Sequence, residues 1–403
     1  MVEDFVPARR SLRVAVVTET YPPEINGVAA TISRVVEGLR ARGHALQLVR
    51  PRQDTLDAAA DDERYHEVLM RGLPIPRYPQ LRMGVPSRRA LVRLWSMRRP
   101  DIVHLVTEGP LGWSALQAAT HLKLPVVSDF RTNFHAYSRH YGMAWLRSPI
   151  VAYLRKFHNR TACTMVPTEG LRRELEASGL RRLRVVARGV DTELFNPSRR
   201  SDALRQRWDA APQTPVVLSV GRLAPEKNLQ TLLAAYEAMR SKAPTARLVL
   251  VGDGPERASL QQRCPDAIFA GVRRGEDLAA HYASADIFLF PSLTETFGNV
   301  VPEAMASGLA VLGYDYAAAG QLLRHAENGL LARFDDEQDF KAAAASLAAD
   351  PDGARALGLQ ARASARQLGW GCIVEAVETE YLAAMAHEDV PAQATWGRAL
   401  PTA

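Results

Sequence analysis

Glu295 and Glu303 are the residues whose type and spacing most readily suggest chemistry. They lie eight residues apart in Pro291-Ser-Leu-Thr-Glu-Thr-Phe-Gly-Asn-Val-Val-Pro-Glu303. The preceding run, Ala285-Asp-Ile-Phe-Leu-Phe290, is short, apolar and flanked by turn residues, so it reads as a buried strand. Pro302 suits the first turn of a helix, where its missing N–H costs nothing, and Gly308 suits the end of that helix. Gly298 lets the backbone approach a ligand closely. A strand, a Gly-bearing turn and a helix start make an anion site, with N–H groups aimed at phosphate. One Glu precedes the turn and the other lies on the helix, so the pair can reach hydroxyl groups on either side of that phosphate. A nucleotide sugar has this layout of ribose, diphosphate and sugar. The competing reading is that both residues cap the helix or sit in solvent.

Cations follow the same logic. Gly221-Arg222 ends another apolar run, and Lys227 lies five residues beyond Arg222. Arg offers phosphate a bidentate fork and Lys a flexible point charge. Lys227 is one of only five lysines in the chain, against a large excess of Arg. The alternative is a solvated loop with an ion pair to Glu226. Gly27 lets an N-terminal loop approach a ligand or simply makes a tight turn. His104 alternates on a strand and reads as structural, or as a residue supporting the site near Glu108. Asp350-Pro-Asp352 is a turn between Ala-rich helices, so no metal ligand set is read there. The stretch from Arg88 to Arg99 is basic and amphipathic. Its apolar face, Leu91, Leu94 and Trp95, suits packing on a sheet, while its arginines suit an anionic membrane.

The positioning elements alternate. Strands are expected at Leu12–Val17, Ala45–Val49, Ile102–Val106, Pro125–Phe130 and Cys163–Val166, with a helix over Ala29–Arg40. The pattern restarts at Val216–Val220, followed by a helix at Leu229–Met239 and strands at Leu248–Val251 and Ala267–Ala270. Alternating strands and helices imply parallel sheets covered on both faces. The expected class is α/β, with two Rossmann-like parallel-sheet domains facing across a cleft. The expected bounds are residues 1–190 for the first domain, with a returning helix at 372–390, and 191–371 for the second. Ligands bind at the carboxyl ends of strands in such sheets. The motifs at Gly27, Arg131 to His135, Gly221-Arg222 and Glu295 to Glu303 all fall at strand ends, which predicts one interdomain site.

Composition narrows the function classes. The 403 residues carry a formal charge of +6, with 47% hydrophobic and 23% charged residues, as in an ordinary globular protein. No zinc-ligand spacing, isolated basic arm or aromatic-studded basic run supports nucleic acid. Three scattered cysteines suggest no disulfide framework and a reducing compartment. Neither a signal peptide nor an apolar run of membrane-spanning length is read. The expected location is cytoplasmic, with peripheral contact at the inner face of the membrane.

The chain resembles retaining GT-B glycosyltransferases of family 4 (group 1), which include bacterial phosphatidylinositol mannosyltransferases and other lipid glycosyltransferases. The matching pieces are Tyr21 to Val28, Arg188-Gly-Val-Asp191 with Phe195 and Pro197, Val220-Gly-Arg-Leu223 with Glu226-Lys-Asn228, Val251-Gly-Asp-Gly254, and Pro291 to Gly308. The resemblance implies a C-terminal helix crossing back to the first domain. It implies transfer of a hexose, mannose or glucose, from a GDP- or UDP-sugar to a lipid or saccharide acceptor, with no metal or other cofactor. Glu303 is then expected on the ribose and Glu295 beside the donor sugar. The backbone around Phe297, Gly298, Asn299 and Val300 would hold sugar hydroxyls or phosphate, while Gly221, Arg222 and Lys227 would meet the diphosphate. The chain departs from the family pattern twice. Asn26 replaces one of a usual Gly pair, and is expected to keep the turn because Asn tolerates left-handed angles. Arg131 stands where relatives carry a His that contacts the donor sugar. His135, four residues on, is the candidate to replace that His, with Arg131 on the diphosphate. A nucleotide-sugar epimerase of similar fold and a non-catalytic sugar-nucleotide-binding protein are the alternatives.

Overall fold

The computed structural model describes residues 11–24, 26–75, 78–131 and 147–386. The N-terminal half builds a seven-stranded parallel sheet. Its strands are β1 (Arg13–Val17), β2 (Ala45–Pro51), β3 (Tyr65–Met70), β6 (Ile102–Leu105), β7 (Val126–Asp129), β8 (Cys163–Val166) and β9 (Leu183–Val185), in the order β3-β2-β1-β6-β7-β8-β9. Between β3 and β6 the strands β4 (Gly72–Ile75) and β5 (Tyr78–Gly84) form an antiparallel hairpin. The C-terminal half builds a six-stranded parallel sheet in the order β12-β11-β10-β13-β14-β15. These strands are β10 (Val216–Val220), β11 (Arg247–Val251), β12 (Ile268–Gly271), β13 (Ile287–Phe290), β14 (Ala310–Tyr314) and β15 (Leu330–Ala332). In both sheets strand order reverses beside the first strand, so crevices open at the carboxyl ends of β1/β6 and β10/β13, where ligands settle in such folds.

Burial explains the strand sequences. Val14, Ala15, Val16 and Val17 are all buried, as are Ile287, Phe288, Leu289 and Phe290. Helices cover both faces of these strands, so their apolar runs are continuous rather than alternating. The helix α1 (Gly27–Ala41) buries Ile32, Val35, Val36 and Leu39 against the first sheet. The C-terminal helix Trp370–Ala386 packs beside it, burying Ile373, Val374, Val377 and Tyr381 in the same core. Gly38 of α1 permits this approach, since a Cβ there would lie 2.4 Å from Val374 Cγ2. The C-terminal helix therefore returns to the first sheet.

Two local expectations are refined. The helix α2 (Arg88–Met97) buries Leu91 and Trp95 in the first core, so its apolar face packs on the protein, while Arg88, Arg89 and Arg93 remain exposed. Asn26 does not use a left-handed conformation. At φ −154° it is the N-cap of α1, and its Oδ1 accepts hydrogen bonds from Val28 N and Ala29 N. Its value at this position is thus the cap. Asp350 likewise caps the helix Pro351–Ala365, accepting from Gly353 N at 2.9 Å, which accounts for the Asp-Pro-Asp turn.

Candidate active site

The second-sheet side of the site is built on the ends of β10 and β13. Gly221, directly after β10, has φ +154°, a conformation suited to Gly. A 3-10 turn, Pro225–Lys227, then carries Lys227 toward β13, and Asn228 at φ +52° turns the chain into the next helix. Lys227 Nζ pairs with Glu295 Oε1, the same oxygen that accepts from Ser292 Oγ at 2.9 Å. Tyr316 OH donates to the Glu295 carbonyl at 3.0 Å and fixes the loop backbone. Arg222 pairs with the buried Glu226, but its own side chain is about half exposed, so the guanidinium can reorient toward a ligand. Two residues singled out independently, Lys227 and Glu295, therefore meet across the two strand ends.

Gly298 closes the loop at φ +98°, and a Cβ there would lie 3.1 Å from the Phe290 ring, so both conformation and space require glycine. The helix that follows is Val300–Ala306, with Pro302 and Glu303 near its start and Gly308 at φ +81° beyond its end. Glu303 is partly buried, and Tyr282 OH donates to its Oε2 at 2.9 Å. Burial pushes its carboxyl up to about 7, and the Tyr282 hydrogen bond only partly opposes this. Phe297 is buried in the core, so only its backbone remains available to a ligand.

The first-sheet side contributes Gly27 and Arg131. Gly27 opens α1 and adjoins Asn299 of the second half, since a Cβ there would lie 3.7 Å from Asn299 Nδ2. Arg131 follows β7. Its Nε and Nη2 both reach Asp129 Oδ2 at 2.5 Å. Asp129 in turn meets His104 Nε2 at 3.0 Å, and His104 Nδ1 lies 2.8 Å from Tyr381 OH on the returning helix. Burial alone would raise the Asp129 carboxyl, but Arg131 and His104 together hold it down at about 2. His104 thus belongs to a buried relay linking Arg131 to the C-terminal helix. It does not adjoin Glu108, which meets His158 instead at 3.2 Å. Ser128, His158 and Glu108 form a chain of contacts resembling a nucleophilic triad, but Ser128 is fully buried and shares its hydroxyl with Thr161 and Thr164, so the arrangement is structural. His135 lies outside the described residues.

The two halves touch at this site. Between them lies a cavity of about 370 Å³ whose lining includes Thr168, Glu169, Glu295, Asp315 and Tyr316. Arg188, part of the Arg188-Gly-Val-Asp191 match but not a predicted site residue, lies close by, with Nη1 3.4 Å from Asn299 Oδ1. The two residues that follow it pack against the C-terminal return. Val190 N donates to Leu368 O, and Gly189 packs so close to Trp370 that a Cβ would lie 2.7 Å from its ring. Sequence spacing carries no signal for a contact between segments so far apart. Among the described residues, no group of three His, Cys, Asp or Glu side chains is arranged to hold a metal ion, and no helix is long and apolar enough to cross a membrane.

Known proteins match this architecture. Residues 214–350 match the family described as glycosyl transferases group 1, and residues 25–194 match glycosyltransferase family 4. A GDP-mannose-dependent alpha-mannosyltransferase of Mycobacterium tuberculosis is 38% identical over 79% of this chain and 83% of its own length. An enzyme of the same name from Mycolicibacterium smegmatis is 35% identical over 94% of this chain and 100% of its own. Among solved structures, sucrose-phosphate synthase from Thermosynechococcus elongatus superposes with a TM-score of 0.74 at 19% identity, covering 94% of this chain and 100% of that one. Family models over both halves, close relatives along most of the length and the shared two-sheet architecture make this chain a member of the group 1 glycosyltransferases, with the GT-B fold.

Proposed function

We propose that the chain transfers a hexose, with retention of configuration, from a nucleoside-diphosphate sugar to a lipid or saccharide acceptor, and that its donor is GDP-mannose. The Lys227–Glu295 pair at the ends of β10 and β13 carries this reading. As the bond from C1 to the diphosphate breaks, negative charge develops on the leaving group. A positioned cation there lowers the barrier, and removing one such group costs about 3 to 4 kcal/mol. Lys227 and Arg222 supply that charge. Glu295, released from Lys227, faces the donor sugar, and Glu303 takes the ribose hydroxyls. The diphosphate charge is met by side chains, so the transfer uses no metal. GDP-mannose is favoured over other donors because relatives with that name are 35 to 38% identical.

A lipid acceptor fits the first half of the molecule. The exposed Arg88 and Arg89 of α2 line a surface hollow with Trp113 and Tyr153, and Arg93 is exposed on the same helix. Lys156 and Arg160 flank Trp113 at 5.9 and 5.4 Å from its ring. Clustered cations beside aromatic rings suit the headgroup layer of an anionic membrane. The reading places the enzyme peripherally on such a surface. The direct experiment incubates purified protein with GDP-mannose, UDP-glucose and their congeners, with and without a diacylglycerol-based acceptor, and measures released nucleotide. Acceptor-dependent release of GDP supports the reading, and release from UDP-glucose alone redirects the donor assignment.

A further inference from the structure

Arg188 is a buried cation with no counter-charge. The residue is only 6% exposed, and among the described residues its Nε and Nη2 have no hydrogen-bond partner. Among the described residues its single polar contact is the long one from Nη1 to Asn299 Oδ1 at 3.4 Å. The Phe297 ring lies 5.7 Å from the guanidinium carbon. The nearby carboxylates are already engaged, Asp129 by Arg131 and His104, and Glu295 by Lys227. Burial, reinforced by the like charge of Arg131, draws the Arg188 guanidinium down to about 9. An unpaired charge taken out of water is strongly unfavourable unless something compensates it.

The geometry says what kind of group would compensate. Nε and Nη2 share one edge of the guanidinium, the edge that takes two oxygens side-on in a bidentate contact with phosphate or carboxylate. Nη1, on the other side, is the nitrogen turned to Asn299 of the second half. Gly27 of the first half also adjoins the guanidinium on its Nη1 side, where a Cβ would lie 3.9 Å from Nη1. The residue thus sits where the first half meets the loop that runs from Glu295 to Asn299.

We propose that Arg188 binds the donor's diphosphate from the first-domain side, its free Nε–Nη2 edge gripping two phosphate oxygens while Asn299 steadies Nη1. The inference rests on the nucleoside-diphosphate reading of the cleft and adds a ligand that reading does not contain. It also gives the two halves a reason to close, because the donor would bridge Arg188 to Lys227.

The test titrates the full-length protein with GDP, UDP and the corresponding free nucleosides, using wild type, Arg188→Lys, Arg188→Met and, for comparison, Lys227→Met. Arg188→Met should bind the preferred nucleoside diphosphate about 10- to 100-fold more weakly, the size expected from losing charge-assisted hydrogen bonds. Arg188→Lys should fall between it and wild type, and the free nucleoside should bind wild type and Arg188→Met equally. Without ligand, Arg188→Met should melt at or above the wild-type temperature, because it removes an uncompensated buried charge; a purely structural arginine would lower it. If Arg188→Met binds diphosphate like wild type while Lys227→Met loses it, the Arg188 assignment is overturned and the donor-site reading stands. The assignment is also overturned if Arg188→Met changes only the KM for an acidic acceptor, since the anion then comes from the acceptor. If wild type binds no nucleoside diphosphate, the donor-site reading fails and takes this one with it.

Discussion

Replacing Glu303 with Gln keeps the shape of the side chain and removes its charge, which separates two effects of this partly buried carboxyl. Burial lifts it from the usual 4.5 to about 7. That displacement of roughly two and a half pH units corresponds to about 3 kcal/mol, at about 1.4 kcal/mol per unit, and partial exposure makes this an upper bound. The sign follows from proton uptake. Between about 4.5 and 7 the folded protein holds a proton that the unfolded chain has lost, so the wild type loses stability as pH rises through that window. Glu303→Gln has no such proton to lose. It should match wild type near pH 4.5 and be more stable by about 1 to 3 kcal/mol at pH 8. Its donor binding should move the other way. In the proposed donor site the ribose hydroxyls would donate to the ionised carboxylate, and losing a charged hydrogen bond costs about 1.5 to 3 kcal/mol, or about 10- to 100-fold in affinity. For the same reason wild-type donor affinity should increase as pH rises through about 7. Thermal melts from pH 4.5 to 8, with and without GDP or UDP, read both effects. A variant less stable than wild type at pH 8, or one that binds nucleotide equally well, would refute the reasoning.

Lys227→Met should keep the fold and slow transfer by about 100- to 1000-fold, measured as nucleotide release at saturating donor; wild-type turnover would show that the Lys227–Glu295 pair is structural. Arg131→Ala removes the arginine partner of the buried Asp129, and should destabilise the protein by about 3 to 5 kcal/mol in denaturant titrations; an unchanged midpoint would show that Arg131 does not hold the relay. Arg88, Arg89 and Arg93 replaced together by Gln should reduce binding to vesicles containing anionic lipid by about 100-fold at low salt, at about 1 kcal/mol per charge, and sedimentation identical to wild type would remove α2 from the membrane contact. Transfer should persist in excess EDTA if, as proposed, side chains meet the diphosphate charge, and inhibition reversed by a divalent cation would overturn the metal-free reading.

The site was legible where its signal is local. The apolar runs at Val216–Val220 and Ile287–Phe290, with Gly221 and Gly298 just beyond them, carry both the strands and the turns that position the loops. The eight-residue spacing of Glu295 and Glu303 places one before the turn and one on the helix, as found. What escaped depends on distant segments. Lys227 meets Glu295 only because β10 and β13 are adjacent in space. His104 reaches Tyr381 only through the returning helix, so the relay behind Arg131 could not be read from β6 or β7. Arg188 reaches Asn299 only because the two halves of the chain meet. The cap at Asn26 was misjudged for a local reason. Asn serves both left-handed turns and helix starts, and the residues around it do not distinguish the two.

The most direct test of the account is acceptor-dependent release of GDP from GDP-mannose by the purified full-length protein, compared with Lys227→Met and with the anomeric configuration of the product determined by NMR. The account predicts release and a retained anomer for wild type, and release reduced at least about 100-fold in the variant. No nucleotide release from any sugar donor, or equal release by the variant, would contradict it.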